Sequence, residues 1–222
     1  MLPKKVFTFL HDLQQNNDRE WFNANKSVYQ EARKAFADFI NLTINEIRKF
    51  DKDINGIEAK DCMFRIYRDV RFSHDKSPYK TNFGAYIAAG GRKSMYAGYY
   101  VHLEPGAPML AGGLYMPPPP QLKIIRQEIY ENIDEFREII EDKNFKQYFG
   151  SLTGDQLKKG PRDFPADFPD IDLLKFKSYN VVRGLTEKDV ESDNILEMVH
   201  NTFKAMYPLN RFFNYALENA AV

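Results

Sequence analysis

The sequence predicts an α+β protein that combines an antiparallel sheet with helices from both ends of the chain. Near the two termini, apolar residues recur at steps of three and four, which is the spacing of one buried helix face. In the middle of the chain they alternate with polar residues, and short turns containing Gly or Pro separate the alternating segments. We therefore expect a meander at about 61–116, a further strand near 174–183, and the N- and C-terminal helices packed on one face of the sheet.

The first 50 residues are predicted to be helical. A short first helix is indicated by the apolar residues up to Leu13, and it ends at the polar run 14–17. Asn17, with Glu20 three residues later, predicts the N-cap of a second helix. Over 33–50 one apolar face recurs, and we expect it to be buried; its members are Phe36, Phe39, Ile40, Ile44, Ile47 and Phe50.

From about residue 61 the pattern changes to period two. The apolar set is Phe64, Ile66, Val70 and Phe72, and the alternating polar set is Arg65, Tyr67, Asp69 and Arg71. This alternation predicts a strand whose apolar set is packed and whose polar set faces solvent. Further strands are predicted at 82–88, 96–104 and 109–116, with turns at 89–92 and 104–108.

A helix is predicted next. Apolar residues follow the helical period over 122–140, and the prolines at 117–120 end the preceding strand and lead into this helix. The segment 150–172 contains several Gly and Pro residues together with Phe164 and Phe168, which is typical of an ordered loop rather than a linker between domains.

The end of the chain is predicted to add one strand and one helix. The strand lies near 174–183, and Thr186 is expected to open a helix that runs through Met206. No composition shift or internal repeat divides the sequence, so we expect residues 1–222 to form a single domain.

Composition restricts the classes of function. The 31 basic and 31 acidic residues cancel, so the whole molecule has no net charge to attract nucleic acid or an anionic membrane, and any anion binding must be local. One cysteine excludes an intrachain disulfide and a multi-cysteine metal site, which suits the cytoplasm. No segment resembles a signal peptide or a membrane span, and we expect no cofactor.

The segment 65–80 is the densest cluster of reactive side chains, with five cations, two acids, a histidine and two tyrosines. It matches no nucleophile elbow, metal-ligand spacing or phosphate loop. The adjacent Ser73, His74 and Asp75 do not indicate a catalytic triad, because triad members converge from separate parts of a fold. We expect a loop there, in which Asp75 or Ser77 accepts hydrogen bonds from backbone groups.

In the strand predicted at 96–104, Tyr100 and the polar residues that alternate with it are expected to lie beside the polar set of the strand predicted from residue 61. We predict a face that binds a small anionic or planar ligand through Arg65, Tyr67, Arg71, Lys80, Tyr100 and His102. If the protein is an enzyme, His102 with Glu104 or Asp69 is the acid–base pair. The alternatives are a ladder of cross-strand ion pairs, single-stranded nucleic-acid binding and a protein-interaction surface.

Three further features have structural interpretations. Neither His74 nor His102 has a second histidine at ligand spacing, so no metal site is predicted. Cys62 lies beside a buried stretch, which is typical of an inert core thiol. The Gly112–Gly113 pair indicates a bulge or tight packing in a strand.

Several blocks of sequence together resemble the family called Domain of Unknown Function 2461. They are Phe9-Leu10, Asn16-Asn17, Arg19 to Phe22, Asn25-Lys26 to Tyr29, Arg65 to Lys80, Tyr99-Tyr100 with His102, Glu104, Pro105 and Gly106, Gly112 to Pro117, and Leu174 to Tyr179. The blocks are long, occur in order and span nearly the whole chain. The resemblance implies a complete single-domain member of that family and gives no residue a catalytic role.

Overall fold

The structure is a computed structural model that describes residues 2–220, and they form two compact units. The first unit comprises residues 2–93, 100–110 and 184–201, and the second comprises 94–99, 111–183 and 202–220. The strands are β1 (Phe83–Ile87), β2 (Gly98–Leu103), β3 (Met109–Leu114) and β4 (Tyr179–Gly184). They form one antiparallel sheet in the order β1-β2-β3-β4. The predicted α+β class and its meander are therefore confirmed.

Ten helices surround these strands in the described part of the chain. They are α1 (Leu2–Gln15), α2 (Arg19–Ala24), α3 (Lys26–Ile47), α4 (Ala59–Cys62), α5 (Pro119–Glu131), α6 (Ile133–Glu141), α7 (Lys143–Phe149), α8 (Ile171–Leu174), α9 (Glu187–Glu191) and α10 (Ile195–Ala220). Among residues 2–220, none of these helices has the length and apolar character needed to cross a membrane.

The strand predicted from residue 61 is wrong. Its first residues form α4, and the segment that follows pairs with the chain around β1 through two isolated bridges, Met63 to Ala85 and Tyr67 to Tyr79. The bridges are four residues apart on one side and six on the other. Because two residues are left over between them, regular pairing is interrupted and the alternation of side chains is lost.

Side-chain exposure shows the consequence of this interruption. Ile66 is buried as predicted, but Phe64 is 39% exposed and Phe72 is 95% exposed. Val70 is half-buried. The apolar set of the predicted strand therefore does not share one packed face, and the polar set is not placed on the sheet by alternation.

The predicted N-cap of α2 is off by one residue. Asp18 is the cap, and its side chain accepts a hydrogen bond from the Trp21 backbone N–H at 2.9 Å. Asn17 instead pairs with the backbone of Tyr79: its amide donates to the carbonyl oxygen at 3.0 Å and its Oδ1 accepts from the N–H at 3.1 Å. Asn17 thereby holds the chain just before Lys80.

The core of the first unit is mainly aromatic. Phe36 of α3 stacks on Phe83 of β1, with ring centroids 5.4 Å apart. Phe9 of α1 also stacks on Phe83, and Tyr29 contacts both of these rings. The α3 face predicted to be buried is buried from Phe36 to Ile47, and this core fixes β1 against the helices.

The second unit is organised around α10. Asn214 bridges both backbone groups of Ala97, accepting from its N–H at 2.7 Å and donating to its carbonyl oxygen at 3.1 Å. Phe203 packs on Tyr99. A Cβ on Gly113, whose φ is +102°, would lie 2.1 Å from the Tyr179 carbonyl oxygen. The glycine pair therefore marks tight packing, as its sequence indicates.

Several helices and strands in the second half of the chain begin or end at residues other than those predicted. The helix predicted over 122–140 is interrupted at Asn132, where α5 ends and α6 begins. The strand predicted near 174–183 begins at Tyr179, because the residues just before 175 form α8. Thr186 caps a helix as predicted, although α9 is short and α10 begins separately.

Candidate functional site

Three polar side chains at the C-terminal end of β2 form a hydrogen-bonded chain, all within the first unit. Tyr100 and His102 lie two positions apart on β2, so the strand presents them on the same side, and Glu104 directly follows its last residue, Leu103. The Tyr100 hydroxyl lies 2.9 Å from His102 Nδ1, and His102 Nε2 lies 3.0 Å from Glu104 Oε2. Thr81 extends the chain by donating from Oγ1 to Glu104 Oε1 at 2.9 Å. We call these four residues the His102 chain.

The partners of His102 define which ring nitrogen carries the proton. A carboxylate only accepts hydrogen bonds, so Nε2 donates to Glu104. Nδ1 faces the Tyr100 hydroxyl and, at 3.4 Å, the side-chain amide nitrogen of Asn82. The amide nitrogen is a donor and the hydroxyl can donate, so with Nε2 donating to Glu104, Nδ1 accepts from these two groups. The His102 side chain is 13% exposed, which shields this arrangement from water.

Gly84 of β1 gives the Tyr100 ring its position. A Cβ at residue 84 would lie 2.6 Å from the Tyr100 hydroxyl oxygen and 3.2 Å from the nearest ring carbon. The neighbouring strand therefore leaves room for the ring only because residue 84 has no side chain. Phe64 meets the same ring edge-on, with centroids 6.4 Å apart.

The side chain of Lys80 lies near Phe64 and Tyr100, and no carboxylate among the described residues forms an ion pair with it. Its Nζ is 5.6 Å from the centroid of the Phe64 ring, the ring that also contacts Tyr100. Burial, followed by the positive charge of Arg65, lowers the pKa of Lys80. Among residues 2–220, no carboxylate lies within ion-pair distance of either Lys80 or Arg65.

The other two predicted site residues on this segment pair with each other. Arg71 donates to Asp69 through both Nε and Nη2, at 2.9 and 2.7 Å. These hydrogen bonds are the main reason that the pKa of Asp69 is lowered. Arg71 is highly exposed and also lies over the Phe72 ring. The structure therefore places Arg71 and Asp69 in a surface ion pair and shows no contact of either with His102.

The loop between these groups folds on itself as predicted. Asp75 accepts from the backbone N–H of Ser77 at 2.9 Å and from its hydroxyl at 2.6 Å, and it also pairs with Arg68. These contacts hold the pKa of Asp75 well below its usual range, the Ser77 hydrogen bonds being the largest cause. Ser73, His74 and Asp75 do not converge as a triad.

Tyr67, also predicted as a ligand-binding residue, lies exposed at the edge of the aromatic core. Its ring is 6.0 Å from Phe22 and 5.5 Å from Tyr79, and it is 48% exposed. Sequence reasoning missed Thr81 and Asn82 as members of the site. Extending the period-two pattern backwards from β1 would have placed Asn82 on the same side as Gly84.

The remaining histidines are paired elsewhere or exposed. His11 lies 3.1 Å from Glu187, and His200 Nδ1 lies 3.2 Å from Glu46 Oε2. His74 is exposed. In the part of the chain that the structure describes, no three His, Cys, Asp or Glu side chains lie close enough to hold a metal ion.

Cys62 is fully buried. Burial, and secondarily the charge of Asp61, raises the pKa of its thiol to about 12. The thiolate is therefore scarce at neutral pH, which supports the interpretation of Cys62 as an inert core residue.

Fold and site together define an α+β protein with a meander sheet and a polar cluster on β2. The chain belongs to the family described as conserved hypothetical protein, DUF2461, whose model matches residues 5–212. The sequence resemblance is thereby confirmed over nearly the whole chain. No curated protein and no solved structure matches it.

Proposed function

We propose that the protein binds a small anionic ligand through Arg65 and Lys80, beside the His102 chain. The ligand's negative charge would lie between the two cations, and the Phe64 ring would form an apolar wall. The Tyr100 hydroxyl provides a neighbouring polar group. Arg71 and Asp69 are left out of this site because they already neutralise each other.

One observation carries the proposal: Lys80 is a half-buried lysine with no acid beside it. Among the lysines between residues 2 and 220, only Lys80 and Lys175 are half-buried, and Lys175 pairs with Asp172. A half-buried ammonium near a second cation raises the free energy of the unliganded protein. An anion that neutralises both groups recovers this free energy as binding free energy.

The other functions considered from the sequence fit these contacts less well. A cross-strand ladder of ion pairs requires a carboxylate in direct contact with each cation, and among the described residues neither Lys80 nor Arg65 has one within ion-pair distance. Nucleic acid requires a row of unpaired cations. Arg68 and Arg71 of the same segment are already paired with Asp75 and Asp69. Two cations beside a half-buried histidine suit a small ligand better.

Phosphate is expected to raise the melting temperature of the wild-type protein. A ligand that binds the folded state stabilises it by mass action, by about 2.7 kcal/mol at a hundredfold excess over Kd. Lys80→Met and Arg65→Gln should lose most of this gain, whereas Arg71→Gln should retain it. The measurement is thermal unfolding in phosphate, compared with chloride at the same ionic strength.

The Arg71→Gln variant is the matched control, because it removes a guanidinium of the same segment that does not belong to the proposed site. Chloride at equal ionic strength corrects for general salt effects on stability. Equal stabilisation of all four proteins by phosphate would show that the anion is not held by Arg65 and Lys80.

A further inference from the structure

Lys80 has the surroundings of an amine that can act as a nucleophile. A lysine attacks a carbonyl carbon only in its neutral form, and burial beside another cation is one way that proteins favour this form. Lys80 meets both conditions through its half-buried position and the charge of Arg65. The Phe64 ring, 5.6 Å from Nζ, supplies an apolar surface but no hydrogen-bond acceptor.

Other lysines of the chain lack these surroundings. Ion pairs with Asp or Glu hold Lys5, Lys34, Lys49, Lys60, Lys123, Lys146 and Lys175. Lys76, on the neighbouring loop, donates to the Val70 carbonyl oxygen and is exposed. The pKa of Lys60 is raised by its hydrogen bond to Glu58, the opposite direction from Lys80. Lys80 therefore differs from these lysines because it is half-buried and has no acidic partner among the described residues.

We propose that Lys80 forms an imine with the carbonyl carbon of a small oxo acid whose carboxylate is held by Arg65. This inference rests on the anion site proposed above and names the class of ligand that would use it. A carboxylate matches the planar fork of a guanidinium, so Arg65 suits the anionic end of such a ligand. Lys80 then serves the carbonyl end.

Imine formation moves two protons, one after the other, from the amine nitrogen to the carbonyl oxygen, and the His102 chain can carry each of them. As the amine attacks, the C–N bond forms and the carbonyl oxygen takes up negative charge. Tyr100 accepts a proton from the nitrogen while it passes its own proton to His102 Nδ1, and Glu104 stabilises the imidazolium. The reverse transfer protonates the alkoxide, which gives a neutral carbinolamine with a hydroxyl group.

The step balances without another reactant. A second passage along the same route carries the remaining N–H proton to the hydroxyl group, which leaves as water while the nitrogen lone pair forms the C=N bond. The amine has lost two hydrogens and the carbonyl its oxygen, which together make the released water. No electrons are gained or lost. In this scheme Tyr100 exchanges the proton, and His102 and Glu104 are positioning residues that act through it.

The test is reductive trapping with pyruvate as the probe. Cyanoborohydride reduces an imine to a stable amine, so pyruvate should leave a carboxyethyl group on Lys80 that peptide mass spectrometry locates. At neutral pH we expect labelling of Lys80 well ahead of Lys76 and the other exposed lysines. Lys80→Arg keeps the positive charge but cannot form the imine, and it should remove the fast phase of labelling.

Two variants separate binding from proton transfer. Arg65→Gln should raise the pyruvate concentration that half-saturates labelling by about tenfold, the equivalent of one charge-assisted hydrogen bond. Tyr100→Phe removes one oxygen and should lower the maximal labelling rate by about tenfold or more. Replacing residues with merely structural roles would not change the half-saturating concentration in one variant and the maximal labelling rate in the other.

Each outcome is informative. Lys80-selective, saturable labelling that responds to Arg65→Gln supports the imine. Stabilisation by pyruvate without an adduct, or stabilisation with labelling spread evenly over the lysines, overturns the imine and leaves the anion site standing. Absence of both stabilisation by pyruvate or phosphate and labelling overturns the imine and the proposed function together.

Discussion

Replacing Phe36 by Ala is expected to lower the free energy of unfolding by about 3 to 5 kcal/mol. Phe36 is fully buried and stacks on Phe83, so truncation removes a whole ring from the centre of the aromatic core. The neighbours come from separate elements, α1, α3 and β1, and cannot all move inward to fill the space. Denaturant unfolding of the variant and the wild type measures the difference.

Leu42→Ala is the matched control. Leu42 lies on the same helix and is 38% exposed, so its truncation removes apolar surface without opening a cavity. We expect a loss of about 1 kcal/mol or less. Similar losses in the two variants would contradict the placement of Phe36 in the core of the first unit.

Replacing Gly113 by Ala is expected to destabilise the second unit by more than about 4 kcal/mol, at the upper end of single substitutions. Two effects add. The φ of +102° is one that L side chains rarely adopt, and the new Cβ would lie 2.1 Å from the Tyr179 carbonyl oxygen, a backbone atom that cannot rotate away. The unfolding midpoint of the variant measures the loss.

Gly90→Ala separates the two effects. Gly90 has a φ of +82°, but no atom lies within 4 Å of the position of its Cβ. This control therefore reports backbone strain alone, and we expect about 1 to 2 kcal/mol. If the two alanine variants lost equal stability, close contact between β3 and β4 would not be the reason for the glycine at 113.

Patterns that depend on neighbours in sequence predicted the fold well. The helical face of α3 and the strands β1, β2 and β3 follow from spacing alone, since each buries one side along its whole length. The turn at 89–92 was also predictable, because Gly90 and Gly91 both need positive φ. The α+β class followed from these elements together.

The segment after α4 was not predictable in the same way. Its alternation fits a strand, but the two residues left over between the bridges at Met63 and Tyr67 are a property of pairing with a distant part of the chain. The offset turns Phe64 outward, where it meets Lys80 and Tyr100. A period-two pattern shows that a segment can form a strand, but the segment with which it pairs determines whether a regular strand forms.

The sequence predicted only part of the candidate site, because the rest depends on this same pairing with a distant part of the chain. Tyr100, His102 and Glu104 lie two residues apart along β2 and the residue that follows it, so sequence alone brings them together. The proximity of Lys80 to this group depends on Phe64 and on the interrupted pairing, neither of which the sequence shows. The pairing of Arg71 with Asp69 is local, yet alternation had assigned both to a shared face of a strand that does not form.

The most direct test of the proposed site is the titration of Lys80, followed by NMR of lysines labelled at Cε and assigned with Lys80→Arg. We expect the pKa of Lys80 to lie below those of the exposed lysines, because burial and Arg65 disfavour its charged form. Phosphate should raise this pKa, since a bound anion favours the ammonium, and Arg65→Gln should also raise it. A Lys80 that titrates with the exposed lysines and does not respond to phosphate would contradict an anion site at Arg65 and Lys80.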